Sequence, residues 1–190
     1  MRLLPLPEGG LRLRLELDEA QLLDQLIGQL IALLQSHSGT ALDPDPLFAS
    51  LEVGGSEVRP EDPALARLFP DAFENEADAS AFRRLTEQGL INRKLQDALE
   101  VTNALGLGID QDADDASPVD ADITPRNLTA WVRTLTALRL AVAARVGLEQ
   151  ESDHARLLAE NETRGTMMVY DWLAAILDAI LRMDASESTS

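Results

Sequence analysis

The chain has 190 residues, 45% of them hydrophobic but only 4% aromatic, with a formal net charge of −17 and no cysteine. The lack of cysteine excludes disulfides, thiolate metal sites, cysteine nucleophiles and thiol redox switches, while the negative charge opposes generic binding to nucleic acids or anionic membranes. A core rich in Leu and Ala favours a mainly α fold, because these residues lose little side-chain freedom in a helix.

The N-terminal segment predicts a small hairpin followed by a helix. The run from Leu11 to Leu17 alternates strictly, which predicts a strand with four Leu on one face. Glu8-Gly9-Gly10 predicts a turn that pairs this strand with an edge strand over Leu3 to Leu6. Apolar residues then recur at helical spacing, which predicts an amphipathic helix over Asp18–Gln35 with Asp18 as its N-cap.

The middle of the chain alternates between loops and helices. Thr40 to Pro63 is rich in Pro and Gly and predicts a loop with one helical turn around Leu47 to Leu51. Asp62-Pro63 predicts the start of a short helix over Ala64 to Phe69. A longer helix is predicted over Asp78–Leu105, ended by Gly106. The acidic segment 106–122 has no hydrophobic period and predicts a mobile loop.

Two further helices complete the predicted architecture. Thr124 as N-cap and Gly147 as C-cap bound a helix over Pro125–Val146, and a polar connection leads to a helix over Thr166–Met183. Residues 185–190 read as a disordered tail. We therefore predict a mainly α single domain over residues 1–184, a bundle of about four main helices with a small N-terminal β-hairpin.

No motif predicts catalytic, cofactor-binding or metal-binding residues. Asp110 to Asp115 begins like a calcium loop, but Asp115 and Ala121 stand where that loop needs Gly and Glu, so we interpret it as a solvated acidic segment. His37 and His154, the only two imidazoles, lie far apart in polar segments and are interpreted as surface residues.

Arg83, Arg84, Arg93 and Lys94 form the densest basic group. Glu87 and Asp97 lie three or four residues from members of this group, where they can form ion pairs along a helix. Two interpretations stay open. The group is either a solvated helix face with local ion pairs, or a contact surface for a protein partner or for phosphates.

Arg139 interrupts an otherwise apolar face of the helix over Pro125–Val146. A buried guanidinium stays charged and needs partners for its donors. We predict a buried ion pair with an acid, so that Arg139→Ala costs a few kcal/mol. The alternatives are a stem that snorkels to the rim and a pocket for an anionic ligand. Trp131, Tyr170 and Trp172 predict core packing, with a ligand pocket as the alternative.

Several stretches together resemble an actinobacterial domain-of-unknown-function family that includes AosR-like atypical oxidative-stress regulators. They are Phe82 to Thr86, Arg93 to Leu95, Trp131 to Leu140, Arg145 to Gly147 and Tyr170 to Leu173. The resemblance implies an intracellular, non-enzymatic protein with a transcription-regulatory role, often encoded beside the ClpS protease adaptor. Thiol sensing of its own would require cysteines, which this chain lacks.

We therefore expect a cytoplasmic regulatory protein that acts through contacts with a protein partner, with no cofactor and no membrane association. The start of the chain lacks the apolar region of a signal peptide, and no apolar run reaches the ~20 residues that span a bilayer. One alternative is a structural, homo-oligomerising helical protein. The other is a small enzyme with a carboxylate-only site, for which the sequence marks no pocket.

Overall fold

The computed structural model describes residues 1–7, 9–38, 58–107 and 117–187, with side chains described as far as residue 182. The elements in chain order are β1 (Arg2–Pro5), β2 (Leu11–Leu15), α1 (Leu17–His37), α2 (Pro63–Leu68), α3 (Glu76–Leu105), β3 (Val119–Ile123), α4 (Leu128–Val146), α5 (Glu151–Ala159) and α6 (Arg164–Glu187). The predicted mainly α fold and its main helices, α1, α3, α4 and α6, are confirmed. The turn predicted at 47–51 and the acidic segment 110–115 lie outside the described residues.

The predicted hairpin is present, but it belongs to a three-stranded antiparallel sheet in which β2 lies between β1 and β3. One face of the β2–β3 pair is apolar and buried, with Leu11, Leu13 and Leu15 opposite Ile123, Ala121 and Val119. Gly10 has φ +94°, and a Cβ there would collide with the carbonyl oxygen of Ile123. Glycine is therefore required where β2 begins against β3.

The third strand corrects the prediction of a mobile loop over 106–122. Gly106 does end α3 in the left-handed conformation, with φ 64°, but Val119 to Asp122 form most of β3. Strand pairing places Asp120 and Asp122 opposite Arg14 and Arg12, so each carboxylate meets a guanidinium. Asp120 and Asp122 thus belong to a paired strand, whereas the sequence analysis placed them in a mobile loop.

Helix boundaries differ from the predicted ones at several ends. Helix α1 begins at Leu17, and the Glu19 carboxylate accepts a hydrogen bond from the Glu16 N–H, so Asp18 is not the N-cap. Helix α4 begins at Leu128 because the Asn127 side chain accepts from the Thr124 N–H and closes a turn before it. Helix α5 was not predicted, and α6 extends through residues 185–187, which were predicted as tail.

Helix α4 is the central element of the bundle and contacts α1, α2, α3 and α6. Its Trp131 and Leu135 side chains are fully buried in the main apolar core, which confirms core packing for Trp131. Helix α2 begins as predicted, with Asp62 Oδ1 accepting from the Ala64 and Leu65 N–H groups. The second Asp62 oxygen accepts from Arg145 at 2.7 Å, which ties α2 to α4.

Candidate functional site

The predicted basic group does not form one surface. Arg83 is about nine-tenths buried and pairs with Asp71 in the segment before α3. Lys94 is half-buried with its Nζ 5.8 Å from the centre of the Phe69 ring, and burial lowers the pKa of Lys94. Arg84 and Arg93 are exposed. The four residues therefore divide between the inner and outer faces of α3.

The inner face of α3 meets the end of α1 in a polar cluster, which we call the α1–α3 junction (His37, Asp71, Arg83 and Glu87), and of these residues Arg83 and Glu87 are buried. His37 Nε2 donates to Glu87 Oε1 at 2.7 Å, and the Glu87 side chain is only 2% exposed. The His37 side chain is 16% exposed and its ring stacks on Phe69 with the centroids 6.0 Å apart. His37 is thus a buried partner of a carboxylate, and its interpretation as a surface residue is wrong.

Arg139 points inward, as its position in the apolar arc implies, but its partner is a phenol. Arg139 Nη2 donates to Tyr170 Oη at 2.9 Å, and the guanidinium carbon lies 4.7 Å from the centre of the Tyr170 ring. Arg139 Nε is buried without a hydrogen-bond partner, and no carboxylate of the described residues pairs with this guanidinium. The predicted internal ion pair is therefore wrong in its partner. Helix packing, which the sequence does not reveal, brings a residue 31 positions away against Arg139.

Arg139 and Tyr170 line a cavity of about 580 Å³ between α2, α4, α5 and α6. We call this cavity the α4–α6 pocket. Its lining includes the apolar side chains of Leu140, Ala143 and Leu148. His154 also lines the cavity, and its Nε2 donates to Asp171 Oδ1 at 2.8 Å. His154 is about one-third exposed, so it lies on the edge between surface and pocket.

Charged residues of both signs surround this pocket. Arg67 of α2 lies at the rim together with Glu149 and Glu151, which flank the start of α5. Arg67, Arg139, Glu149 and Glu151 form no ion pair with any residue in the described ranges. Most arginines described elsewhere in the chain are paired with carboxylates, for example Arg12, Arg14, Arg145 and Arg156. The pocket therefore concentrates charges for which the protein supplies no partner.

A second cavity of about 580 Å³ lies between α1, α4 and α6 and has a different character. Its lining is largely apolar and includes Leu26, Leu33 and Val142. The arginine in its wall, Arg145, already pairs with Asp62 at 2.7 Å. This cavity thus lacks the uncompensated cations of the α4–α6 pocket.

Helix α3 and the segment just before it carry exposed hydrophobic side chains that the sequence analysis did not identify as a surface. Phe73, Phe82, Leu85 and Leu90 are 50%, 43%, 70% and 44% exposed. The Phe73 and Phe82 rings meet edge to face with their centroids 5.6 Å apart. We call these four residues the α3 patch. Helical spacing alone would have connected only Phe82 and Leu85, which are three residues apart.

The described residues contain no group of three His, Cys, Asp or Glu side chains arranged to hold a metal ion. Carboxylate pKa values that depart clearly from the ordinary range are lowered, as for Asp120 and Asp122, where hydrogen bonds from Arg14 and Arg12 stabilise the charged form. These shifts accompany ion pairs at the surface and mark no proton-transfer centre. No described helix has the length and apolar character needed to cross a membrane.

Comparison with known proteins connects this architecture to a family. The family model described as domain of unknown function (DUF2017) matches residues 1–183. A Mycobacterium leprae (strain TN) protein, provisionally named as the oxidative stress regulator AosR, is 26% identical over 170 residues, covering 86% of this chain and 77% of that protein. No solved structure matches the chain significantly. The name of the relative is consistent with a regulatory role.

Proposed function

The chain belongs to the DUF2017 family, and from that premise we propose that it is a non-enzymatic regulatory protein that acts by binding a protein partner through the α3 patch. The observation that carries the proposal is the exposed apolar surface formed by Phe73, Phe82, Leu85 and Leu90. Large exposed apolar patches are uncommon on soluble monomers and mark interaction surfaces, and here the Phe73 and Phe82 rings are in contact. Aromatic residues in particular are enriched at protein interfaces.

Arg93 suggests the chemistry of that partner. It lies three residues after Leu90 on α3, so the two side chains are neighbours on one helix face. Arg93 is exposed and forms no ion pair within the described part of the chain. The surface is thus an apolar patch with a cation at its edge, on a chain with a net charge of −17. We propose that the partner presents an apolar segment flanked by an acidic side chain.

The link to transcription rests on the similarity to the protein named as an oxidative stress regulator. This chain has no cysteine, so its own thiols cannot sense an oxidant. We propose that it acts downstream of such a signal, by contact with a protein of the transcription apparatus. Because the net charge opposes DNA phosphates, contact with DNA is not the proposed route.

Affinity purification of the tagged full-length chain from its native cells, with quantitative mass spectrometry, tests the proposal. The test compares the parent chain with Leu85→Asp and with the matched control Met168→Asp. Leu85 and Met168 are 70% and 61% exposed, so an Asp at either position leaves the core intact. We expect a transcription protein to copurify with the parent and the control. The amount of that protein recovered should decrease at least tenfold with Leu85→Asp. A change in transcript levels in the Leu85→Asp strain, without such a change in the Met168→Asp strain, would support the proposed function.

Two results would contradict this function. One is a set of copurified proteins that Leu85→Asp and Met168→Asp leave equally unchanged. The other is a concentration-dependent dimer that Leu85→Asp dissolves in light scattering, because the patch would then serve self-association and the structural alternative would stand.

DNA binding supplies a separate check. We expect generic duplex DNA to bind weakly or not at all at physiological salt, as measured by fluorescence anisotropy, because the net charge of −17 opposes the phosphates. Any residual binding should depend on Arg84 and Arg93, the exposed members of the basic group. A sub-micromolar affinity that survives replacement of Arg83, Arg84, Arg93 and Lys94 by Ala would contradict an action through protein contacts alone.

A further inference from the structure

We propose that the α4–α6 pocket is a binding site for a small zwitterion of the amino-acid class. Arg139 would hold the carboxylate, the rim acids would hold the ammonium group, and the apolar wall would contact the side chain. The site lies away from the α3 patch and uses none of its residues. Its occupancy is therefore independent of the proposed function.

The guanidinium of Arg139 is positioned as an anion receptor. The Tyr170 ring lies 4.7 Å from the guanidinium carbon, and its hydroxyl accepts from Nη2 at 2.9 Å. These two contacts fix the orientation of the group and use one of its five N–H donors. No carboxylate of the described chain competes for the remaining donors. Planar guanidinium groups bind carboxylates in a bidentate manner, which suits a ligand carboxylate at this position.

The start of α5 is not the anion receptor, although it lies at the same pocket. The N–H groups of Glu149 and Gln150 both donate to Asp153 Oδ2, at 3.1 and 2.9 Å. These hydrogen bonds occupy the two N–H groups that precede the helix and place the Asp153 carboxylate at its start. The negative charge of Asp153 disfavours an anion at this helix start, which leaves the arginines as its receptors.

The sign and number of the rim charges restrict the ligand. Glu149 and Glu151 have no cationic partner in the described ranges, and both line the cavity opposite a receptor for an anion. They would repel a polyanion such as a nucleoside triphosphate. Arg67 and Arg139 together balance them, so a ligand with one carboxylate and one ammonium group satisfies both signs.

Size and surface complete the assignment. A cavity of about 580 Å³ lies within the range for small-molecule sites, which combine apolar walls with a few placed polar groups. Leu140, Ala143 and Leu148 supply the apolar wall. The pocket thus favours an amino acid with an apolar side chain over a small inorganic anion, which would leave the wall uncovered.

Calorimetric titration of the full-length chain tests the assignment. The standard amino acids are screened singly by thermal shift, and the tightest is compared with its des-amino acid, its decarboxylated amine and inorganic phosphate. We expect the amino acid to bind at least tenfold more tightly than each partial analogue. Arg139→Met should weaken binding at least tenfold, about 1.4 kcal/mol. Arg126→Met, which changes an exposed arginine near the start of α4 outside the pocket, should leave the affinity unchanged.

A second variant keeps the test decisive if Arg139→Met unfolds the chain. Glu149→Gln combined with Glu151→Gln changes only exposed side chains and should reduce the tenfold preference for the zwitterion over the des-amino acid to about one. The assignment is overturned if no amino acid binds below about 10 mM. It is equally overturned if the des-amino acid or phosphate binds as tightly, or if neither set of variants changes the affinity.

Discussion

The α1–α3 junction and the α4–α6 pocket both place charged side chains on the inward faces of helices, yet the charges are compensated differently. At the junction, the buried Glu87 carboxylate lies 2.7 Å from His37 Nε2, and Arg83 pairs with Asp71. At the pocket, Arg139 meets only the Tyr170 hydroxyl and ring. Two rim carboxylates, Glu149 and Glu151, likewise have no cationic partner in the described residues.

This difference separates a structural role from a binding role. A buried charge that is fully paired within the chain holds elements together and leaves nothing for a ligand to bind. Charges around a cavity that lack protein partners are incompletely compensated, and a ligand that carries charges of the opposite sign can compensate them. The burial of a charged residue therefore says little about function until its partners are known.

Removal of Glu87 should have the largest effect on stability. Glu87→Ala deletes a carboxylate that is 2% exposed and leaves His37 without it. We expect a loss of about 3 kcal/mol in the free energy of unfolding, because the substitution removes a buried hydrogen-bonded side chain and leaves the His37 ring without its partner. Urea denaturation measures the loss, with Glu100→Ala on the exposed face of the same helix as the matched control. A loss no larger than that of the control would contradict a structural role for the junction.

Parallel alanine substitutions of the two inward arginines compare the regions directly. Arg83→Ala leaves Asp71 without its guanidinium partner, and we expect a loss of about 2 kcal/mol because Asp71 is only partly buried. Arg139→Ala strands no carboxylate and removes a cation whose Nε has no partner, so it should cost about 1 kcal/mol, from one charge-assisted hydrogen bond and the packed stem. The sequence analysis predicted a loss of a few kcal/mol for Arg139→Ala because it assumed an acidic partner, whereas the partner is Tyr170. An Arg139→Ala variant less stable than Arg83→Ala would reverse the comparison.

The sequence predicted what depends on local pattern. The apolar period of α1, the alternation of β2, the Asp62 cap of α2 and the Gly147 end of α4 all follow from residues close together in the chain. Strand β3 was missed although Val119, Ala121 and Ile123 alternate with Asp120 and Asp122. The arginines that neutralise those acids lie more than 100 residues earlier, in β2. The same holds for the candidate site, because only packing brings Tyr170 and the rim acids around Arg139.

Replacement of Lys94, another inward residue of α3, should change stability less than replacement of Glu87 or Arg83. The change should be a gain in stability instead of a loss. Its ammonium lies near the Phe69 ring, and burial lowers its pKa. At pH 7 both the folded and unfolded states hold the charged form, and only the folded state carries the burial penalty. Lys94→Met should therefore raise the melting temperature at pH 7, with a gain that disappears as the pH approaches the ordinary Lys value of about 10.4. A lower melting temperature for Lys94→Met at pH 7 would show that the contact with Phe69 outweighs the penalty.

Removal of a charge that is paired but exposed should change stability least. Comparison with Glu87→Ala then shows how much of the stabilisation depends on burial of the pair. Arg12 donates to Asp122 across β2 and β3 at 2.7 and 2.9 Å, and this hydrogen bond, followed by the charge of Arg12, lowers the pKa of Asp122. A carboxylate with a lowered folded-state pKa stabilises the fold above its unfolded-state pKa, about 3.9, and loses that contribution as the pH falls through the folded value. Asp122→Asn should therefore reduce the urea midpoint slightly at pH 6 to 7, and this difference should shrink as the pH falls below the unfolded-state value towards the lowered folded-state pKa of Asp122. Because both side chains are about two-fifths exposed, solvent and salt screen the pair, and 1 M NaCl should shrink the difference at neutral pH. A midpoint shift as large as that of Glu87→Ala would mean that an exposed pair stabilises the fold as much as a buried one. Burial would then not explain the stabilisation by the α1–α3 junction.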